Sequence, residues 1–415
     1  MRKALAVARF SIVVGSLVAS VAASEAALRV LRPDLADLVH STLRPDRYRI
    51  HANPRGTAEL HHSPEKGGGQ HLVVHNSLGF RQHREFTRQK GPGVVRIGVF
   101  GDSYAENLRM PVQYSFTEPL DFLLNQTGGS WEVLNFGTDG YGTDQVYLQY
   151  LDEGVALDLD VVLYVYCHND LIDIIADRLI DVDERGDLRY LPVRRTSPFI
   201  ETIKRFYLTY FLMESSAVAK EELAAVLAPR YEPETLENSD GDHQAQRHLN
   251  HLFKRDPNNP ERAHAFRIFR ALVAALQHKT ERRSQKFFVV MLPFQQSDPD
   301  ARALLQEMGV PVIDLAPPFA AEVADRHEVF FQHDPHWNEE GNKLAAVHIF
   351  QSLARALDVA YPGDGFIRGA LSRYYAAFGH SRVSERWLEP VESDEASKSA
   401  VRAKYLALEL APFSG

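Results

Sequence analysis

The largely apolar run Val94-Val95-Arg96-Ile97-Gly98-Val99-Phe100 stops abruptly on Gly101-Asp102-Ser103, and this junction constrains the chain more than any other stretch. A short apolar run reads as a buried strand, and the glycine, aspartate and serine after it read as a sharp turn. The pattern recurs. Trp131–Phe136, Asp160–Tyr166, Lys286–Leu292 and Pro311–Leu315 are further candidate strands, separated by helical patterns. That alternation predicts an α/β fold around a parallel sheet. Open sheets of this kind bind ligands at the carboxyl ends of their strands, which is where Ser103 stands. A serine hydroxyl there is a weak nucleophile until a base, itself oriented by a third group, takes its proton. Asp334-Pro335-His336 supplies a candidate pair far downstream.

Between the first two strands, Ser115-Phe116-Thr117-Glu118 has the spacing of a capping box, followed by Leu120, Leu123 and Leu124 on one face. After the second strand, Thr143 is placed to cap a helix that buries Val146, Tyr147, Tyr150 and Leu151. A long insertion, roughly residues 178–280, separates the third and fourth strands. In it Phe199, Ile200, Ile203, Phe206, Tyr207, Tyr210 and Phe211 recur at helical spacing. Such a stripe is first of all a core face, although it would also suit an acyl pocket or a membrane surface. Residues 230–262 are polar and read as an exposed loop, and Asp240-Gly241-Asp242 lacks the further oxygen ligands of a calcium loop. Residues 34–75, with prolines at 45, 54 and 64 and the run Gly67-Gly68-Gly69, read as an irregular linker. His61 and His62 in that linker have no further ligands nearby and read as solvated loop residues. Residues 358–415 read as a small helical tail packed on the domain, with a last helix near Ala396–Leu410.

Four blocks in a fixed order carry a resemblance. They are Gly101-Asp102-Ser103, then Asn135-Phe136-Gly137-Thr138-Asp139-Gly140-Tyr141-Gly142, then His168-Asn169-Asp170, then Asp334-Pro335-His336-Trp337-Asn338. Together they resemble the SGNH subgroup of GDSL-type esterases and acylhydrolases. The lead-in Asn76-Ser77-Leu78-Gly79-Phe80-Arg81 is similar to one in envelope members of that group, and the resemblance spans about residues 70–357. It implies a three-layer α/β/α sandwich with a flavodoxin-like sheet and a hydrolase domain over residues 76–357. It also implies roles: Ser103 as nucleophile, His336 as general base and Asp334 as the acid that orients it. The oxyanion hole would be the backbone N–H groups of Ser103 and Gly137 with the side-chain amide of Asn169. At position 137 a glycine leaves no Cβ to block an approaching substrate. Many members space acid and base as D-x-x-H; the D-x-H-W form here is similar to that of polysaccharide O-acetyltransferases such as those acting on alginate. A helix starting at Asn338, with Glu339 and Glu340 in its first turn, would fix the loop, and Trp337 is the residue most able to stack on a sugar. Cys167-His168 stands where members often have glycine before the asparagine, which narrows the site, and Cys167 itself reads as a buried structural thiol.

A net charge of -9 argues against nucleic acid as a partner, because phosphate neutralisation needs a basic face. The single cysteine excludes an intrachain disulfide and a multi-cysteine metal site, and no metal or cofactor is expected. Arg2, Lys3 and Arg9 precede an uncharged stretch from Phe10 to Ser24 that ends before Glu25. This charge order over residues 1–33 fits a secretory signal, with Val21-Ala22-Ala23 as its small-residue site. An uncleaved anchor extending to Leu31 fits too, and a buried helix is the plainest alternative. The first two place the domain in the periplasm or outside the cell, and the second attaches it to a membrane. The function expected from these readings is an exported serine esterase that removes acyl groups, acetyl above all, from envelope or extracellular carbohydrate. A polysaccharide O-acyltransferase using the same residues and a catalytically silent envelope-binding protein are the alternatives.

Overall fold

The computed structural model describes residues 2–31, 44–46, 48–63, 69–193, 206–208, 211–212, 259–293, 299–324, 328–332, 334–380, 382–389 and 394–405. Along the chain the helix α1 (Arg2–Leu31) is followed by four short strands, β1 (Arg44–Asp46), β2 (Ile50–Ala52), β3 (Thr57–His62) and β4 (Gln70–His75). Then come β5 (Val94–Gly101), α2 (Ser103–Glu106), α3 (Thr117–Asn125), β6 (Ser130–Asn135), α4 (Thr143–Asp152), β7 (Val161–Tyr166) and α5 (Asp170–Asp177). A small hairpin, β8 (Ile180–Val182) and β9 (Leu188–Tyr190), leads to α6 (Pro260–Glu281), β10 (Lys286–Met291), α7 (Pro299–Glu307), β11 (Val312–Asp314) and α8 (Ala316–Glu322). The long α9 (Glu339–Ala356), α10 (Asp364–Ala376) and α11 (Glu395–Tyr405) complete the described elements.

Five strands form one sheet in the order β11-β10-β7-β5-β6, and every pairing in it is parallel. Strand side chains alternate between faces, so each strand feeds two cores. Ile97 and Val99 of β5 point to one, with Val133, Leu163 and Val290, under α3, α9 and α10. Phe100 points to the other, with Leu134, Tyr164 and Val289, under α4, α6 and α7. The result is the expected three-layer α/β/α sandwich, and its strand order is the flavodoxin-like one. The chain leaves β5 toward β6 and returns across it to β7, so the order reverses between β5 and β7. Ser103 follows the first of these strands and Asn169 the second.

Several local expectations are corrected. The capping box at Ser115–Glu118 is not formed: α3 starts at Thr117 after Phe116, with no side-chain cap, and the buried Glu118 carboxylate accepts from Gln82 Nε2 at 2.9 Å instead. Thr143 does not cap α4. It lies inside the first turn after Gly142, and its hydroxyl pairs with Tyr164 Oη at 2.7 Å. The stretch read as an irregular linker contains two antiparallel hairpins, β1–β2 and β3–β4. Apart from these corrections, the helices of the tail pack on the domain: Ile367, Leu371, Tyr374 and Tyr375 are buried in its main core, and Tyr405 Oη donates to Asp121 Oδ2 at 3.0 Å.

Residues 1–42 and 194–241 form a unit of their own. In it Ser11–Leu31 is long and apolar enough to cross a membrane, a property signal sequences share. Ile12, Val13, Leu17 and Val18 of this helix are exposed, and Glu25 pairs with Arg29 one turn on at 3.1 Å. Of the aromatic stripe, Tyr207 is buried and Phe206 exposed, while Phe199, Ile200, Ile203 and Tyr210 lie outside the described residues. The Asp240-Gly241-Asp242 segment and most of the polar loop around it lie outside them as well.

Candidate active site

The site is built where β5 ends. Asp102 caps the one-turn helix α2, its Oδ1 accepting the Tyr104 N–H at 2.9 Å, and this puts Ser103 in the first helical position. A backbone N–H at that position has no partner within its helix. On the other side, the chain from Phe330 to Trp337 folds back on itself through a β-bridge between those two residues. The Phe331 N–H donates to the His336 carbonyl at 3.0 Å, which leaves Asp334, Pro335 and His336 near the tip. Asn338 fixes the base of this loop. Its Oδ1 accepts from Glu340 and Gly341 N–H at 3.0 and 3.1 Å as the cap of α9, and its Nδ2 donates to the Glu328 and Phe330 carbonyls. The expected helix start with two glutamates in its first turn is therefore present.

These two loops bring Ser103, His336 and Asp334 together. His336 Nε2 lies 2.7 Å from Ser103 Oγ, and Nδ1 lies 2.5 Å from Asp334 Oδ1. With Nδ1–H donating to the carboxylate, Nε2 is left as the acceptor for the serine hydroxyl. Burial disfavours the Asp334 carboxylate, yet the imidazole and the Arg109 guanidinium outweigh it and hold this carboxyl well below the usual carboxylate range. Tyr104 completes the support: its ring packs 4.6 Å from the imidazole, centroid to centroid, and its hydroxyl donates to the Pro335 carbonyl at 2.7 Å.

Asn169 stands on the neighbouring strand end, between β7 and α5, with its amide turned to Asp102. Nδ2 donates to Asp173 Oδ2 at 2.9 Å and to Asp102 Oδ2 at 3.3 Å. Asp102 is fully buried, which pushes its carboxyl up to about 6. Burial also pushes Asp170 high, and its carboxylate accepts from the Tyr164 hydroxyl. Cys167 lies in the same pocket of acids. Burial, with Asp102 and Asp170 nearby, pushes its thiol far up and disfavours the thiolate a nucleophile would need.

Two expectations fail here. The Gly137 N–H donates to Asn135 Oδ1 at 2.9 Å. A Cβ at 137 would fall 2.2 Å from the Glu106 main-chain N, so glycine is required there to let the serine helix pack, not to admit substrate. The open glycine of this loop is Gly140, whose φ of +71° favours glycine and whose would-be Cβ is 4.0 Å from its nearest neighbour. Trp337 is not free to meet a sugar. It is buried with its ring against Tyr104, Phe116 and Phe319. His333, beside the acid–base pair, lies outside the described residues.

Sequence reasoning passed over Tyr104, Glu106 and Arg109. Glu106 is wholly buried, with Oε1 2.9 Å from His75 Nε2 and Oε2 accepting the Asp139 N–H at 2.6 Å. Arg109 bridges Asp334 and Asp139. The only signal for these residues was their nearness to Ser103 in the chain, since their partners come from remote segments.

Residues 293–365, which carry the acid–base loop and α9, match the family model described as "SGNH hydrolase-like domain, acetyltransferase AlgX". With the sheet order above, this makes the chain's fold SGNH-hydrolase-like. No curated protein matches the sequence. Among solved structures, the acetyl xylan esterase AlAXEase is similar at 14% identity and a TM-score of 0.35, over 62% of this chain and 100% of its own. A putative lipolytic protein of the G-D-S-L family from Desulfitobacterium hafniense DCB-2 is similar at 11% identity and a TM-score of 0.32, over 62% and 99%. A two-domain esterase active on acetylated mannans is similar at 10% identity and a TM-score of 0.35, over 65% and 51%. Similarities this low do not bear on function.

Proposed function

We propose that the chain is an exported serine esterase that removes small acyl groups, acetyl above all, from envelope or extracellular carbohydrate. The observation that carries this reading is the continuous line from Asp334 Oδ1 through the His336 ring to Ser103 Oγ, with contacts of 2.5 and 2.7 Å. In it His336 takes the serine proton as Oγ attacks the ester carbon, then gives that proton to the leaving alcohol. Asp334 holds the imidazole tautomer and stabilises the imidazolium. The Ser103 N–H and the Asn169 amide face the developing oxyanion, for which Asn169 gives up its longer contact, the one to Asp102. Gly137 is the third donor, and to serve it must release the contact its N–H makes to Asn135 Oδ1. Water then releases the acid from the acyl-serine. Export rests on the apolar stretch Ser11–Leu31 and the basic residues before it.

A second reading has its own support: the family model over residues 293–365 is described as an acetyltransferase. Transfer would use the same acyl-serine, with a sugar hydroxyl in place of water. The test labels the purified chain with a fluorophosphonate, then supplies an aryl acetate with increasing acetyl-free oligosaccharide. Labelling is expected to require both Ser103 and His336, and free acetate is expected to remain the main product. Labelling of a folded Ser103→Ala protein would overturn both readings, and a majority of acetylated sugar at millimolar acceptor would replace the first by the second.

A further inference from the structure

We infer that Arg109 is a positioning residue that orients Asp334 toward His336 and locks the acid–base loop to the glycine loop; this rests on the reading of Ser103, His336 and Asp334 given above. The two Asp334 oxygens divide their partners. Oδ1 accepts from the main-chain N–H of His336 at 2.8 Å and faces its Nδ1 at 2.5 Å. Oδ2 accepts from Arg109 Nε at 3.3 Å. A carboxylate held only through Oδ1 could turn about its Cβ–Cγ bond; one held at both oxygens cannot, and Oδ1 stays in line with the imidazole.

The other end of the guanidinium reaches a second loop. Arg109 Nη1 is 3.9 Å from Asp139 Oδ1. Asp139 is itself fixed on both sides of its main chain, its N–H by Glu106 Oε2 at 2.6 Å and its carbonyl by His51 Nε2 at 2.8 Å. Arg109, six residues beyond Ser103, therefore ties together segments that follow β5, β6 and α8. An exposed ion pair would contribute little. Here the Asp334 side chain is only 8% exposed, so loss of its cation leaves a largely buried charge uncompensated. Arginine suits this place because a planar fork spans two acceptors, and the single ammonium of lysine does not.

Fluorophosphonate labelling and aryl acetate kinetics on the full chain test this, in a cycle with Asp334→Asn. Arg109→Gln is expected to slow labelling of Ser103 and to lower kcat about tenfold, with little change in KM. Arg109→Lys, which keeps the charge and loses the fork, is expected to recover only part of that loss. In the Asp334→Asn background Arg109→Gln is expected to cost nothing further, because a positioning residue acts only through the carboxylate it holds. Wild-type labelling in Arg109→Gln, or losses that simply add in the double variant, would overturn the inference. A wild-type chain whose Ser103 never labels would instead strike the catalytic reading on which the inference rests.

Discussion

Asp334 Oδ1 accepts two hydrogen bonds from one residue, the His336 main-chain N–H at 2.8 Å and the His336 imidazole at 2.5 Å. The D-x-H spacing makes this possible. An aspartate reaches the N–H two residues ahead as a local turn, and that turn brings the imidazole of the same residue over the same oxygen. Pro335 between them stiffens the turn, and the Tyr104 hydroxyl holds the Pro335 carbonyl. The shorter spacing therefore leaves acid and base in contact, with the imidazole fixed from its own backbone.

Asn169→Ala should lower kcat by about 10²–10³ with little change in KM, the pattern of an interaction made only in the transition state. Steady-state kinetics on an aryl acetate measures it. A variant with wild-type kcat would return Asn169 to a plain structural link between Asp102 and Asp173.

Gly137→Ala should act on stability before it acts on chemistry. Its Cβ would fall 2.2 Å from the Glu106 nitrogen and 2.8 Å from the Ala105 Cβ, so the serine helix must shift. Overpacking of this kind costs about 1–3 kcal/mol. Calorimetry should show a lowered Tm; a variant with an unchanged Tm would overturn this packing role.

Thermal stability should fall as pH rises from 5 to 8. Burial pushes Glu118 and Asp144 up to about 7 each, with neighbouring acids adding to the effect. The folded chain thus prefers these carboxyls protonated. Their contribution is complete below the ordinary carboxylate range and is lost as pH passes about 7. Asp334 has the opposite sign, being held low, and its contribution disappears only in stronger acid. Asp144→Asn and Glu118→Gln should each flatten the Tm–pH curve between 5 and 8. A slope unchanged in both would refute the assignment.

Trp337 should matter to folding and not to sugar. Trp337→Phe keeps the apolar bulk and removes an indole N–H that has no partner among the described residues, so Tm and the KM for an acetylated oligosaccharide should stay near wild type. Trp337→Ala should cost about 3–5 kcal/mol by denaturation. A raised oligosaccharide KM in a stable Trp337→Phe chain would put the indole back at the substrate.

The five strands of the sheet were legible in sequence, in order and nearly to the residue, because each is a short apolar run closed by a turn. Their lateral order was not, since it depends on which strands pair across long connections. The β3–β4 hairpin escaped because its strands carry histidines and a glutamate, and its connection holds a glycine run that resembles a linker. Trp337 was misread for a related reason: position next to a reactive histidine says nothing of which way the ring turns. The pairing of Ser103 with His336 could be anticipated from motif order, whereas Arg109 could not, because both its acidic partners become neighbours only after folding.

The late helices α10 and α11 have a consequence for how such a chain is made. Tyr374, Tyr375 and Tyr405 lie on the core face that also holds Ile97 of β5, and Tyr405 fastens to Asp121. That core is therefore completed during synthesis only when residues near 405 have left the ribosome. A sheet strand that shares its core with α11 reaches its full packing late in synthesis. The same dependence makes residue 357 a poor boundary for recombinant expression: a fragment ending there would emerge with a bare apolar face and would be recovered as aggregate.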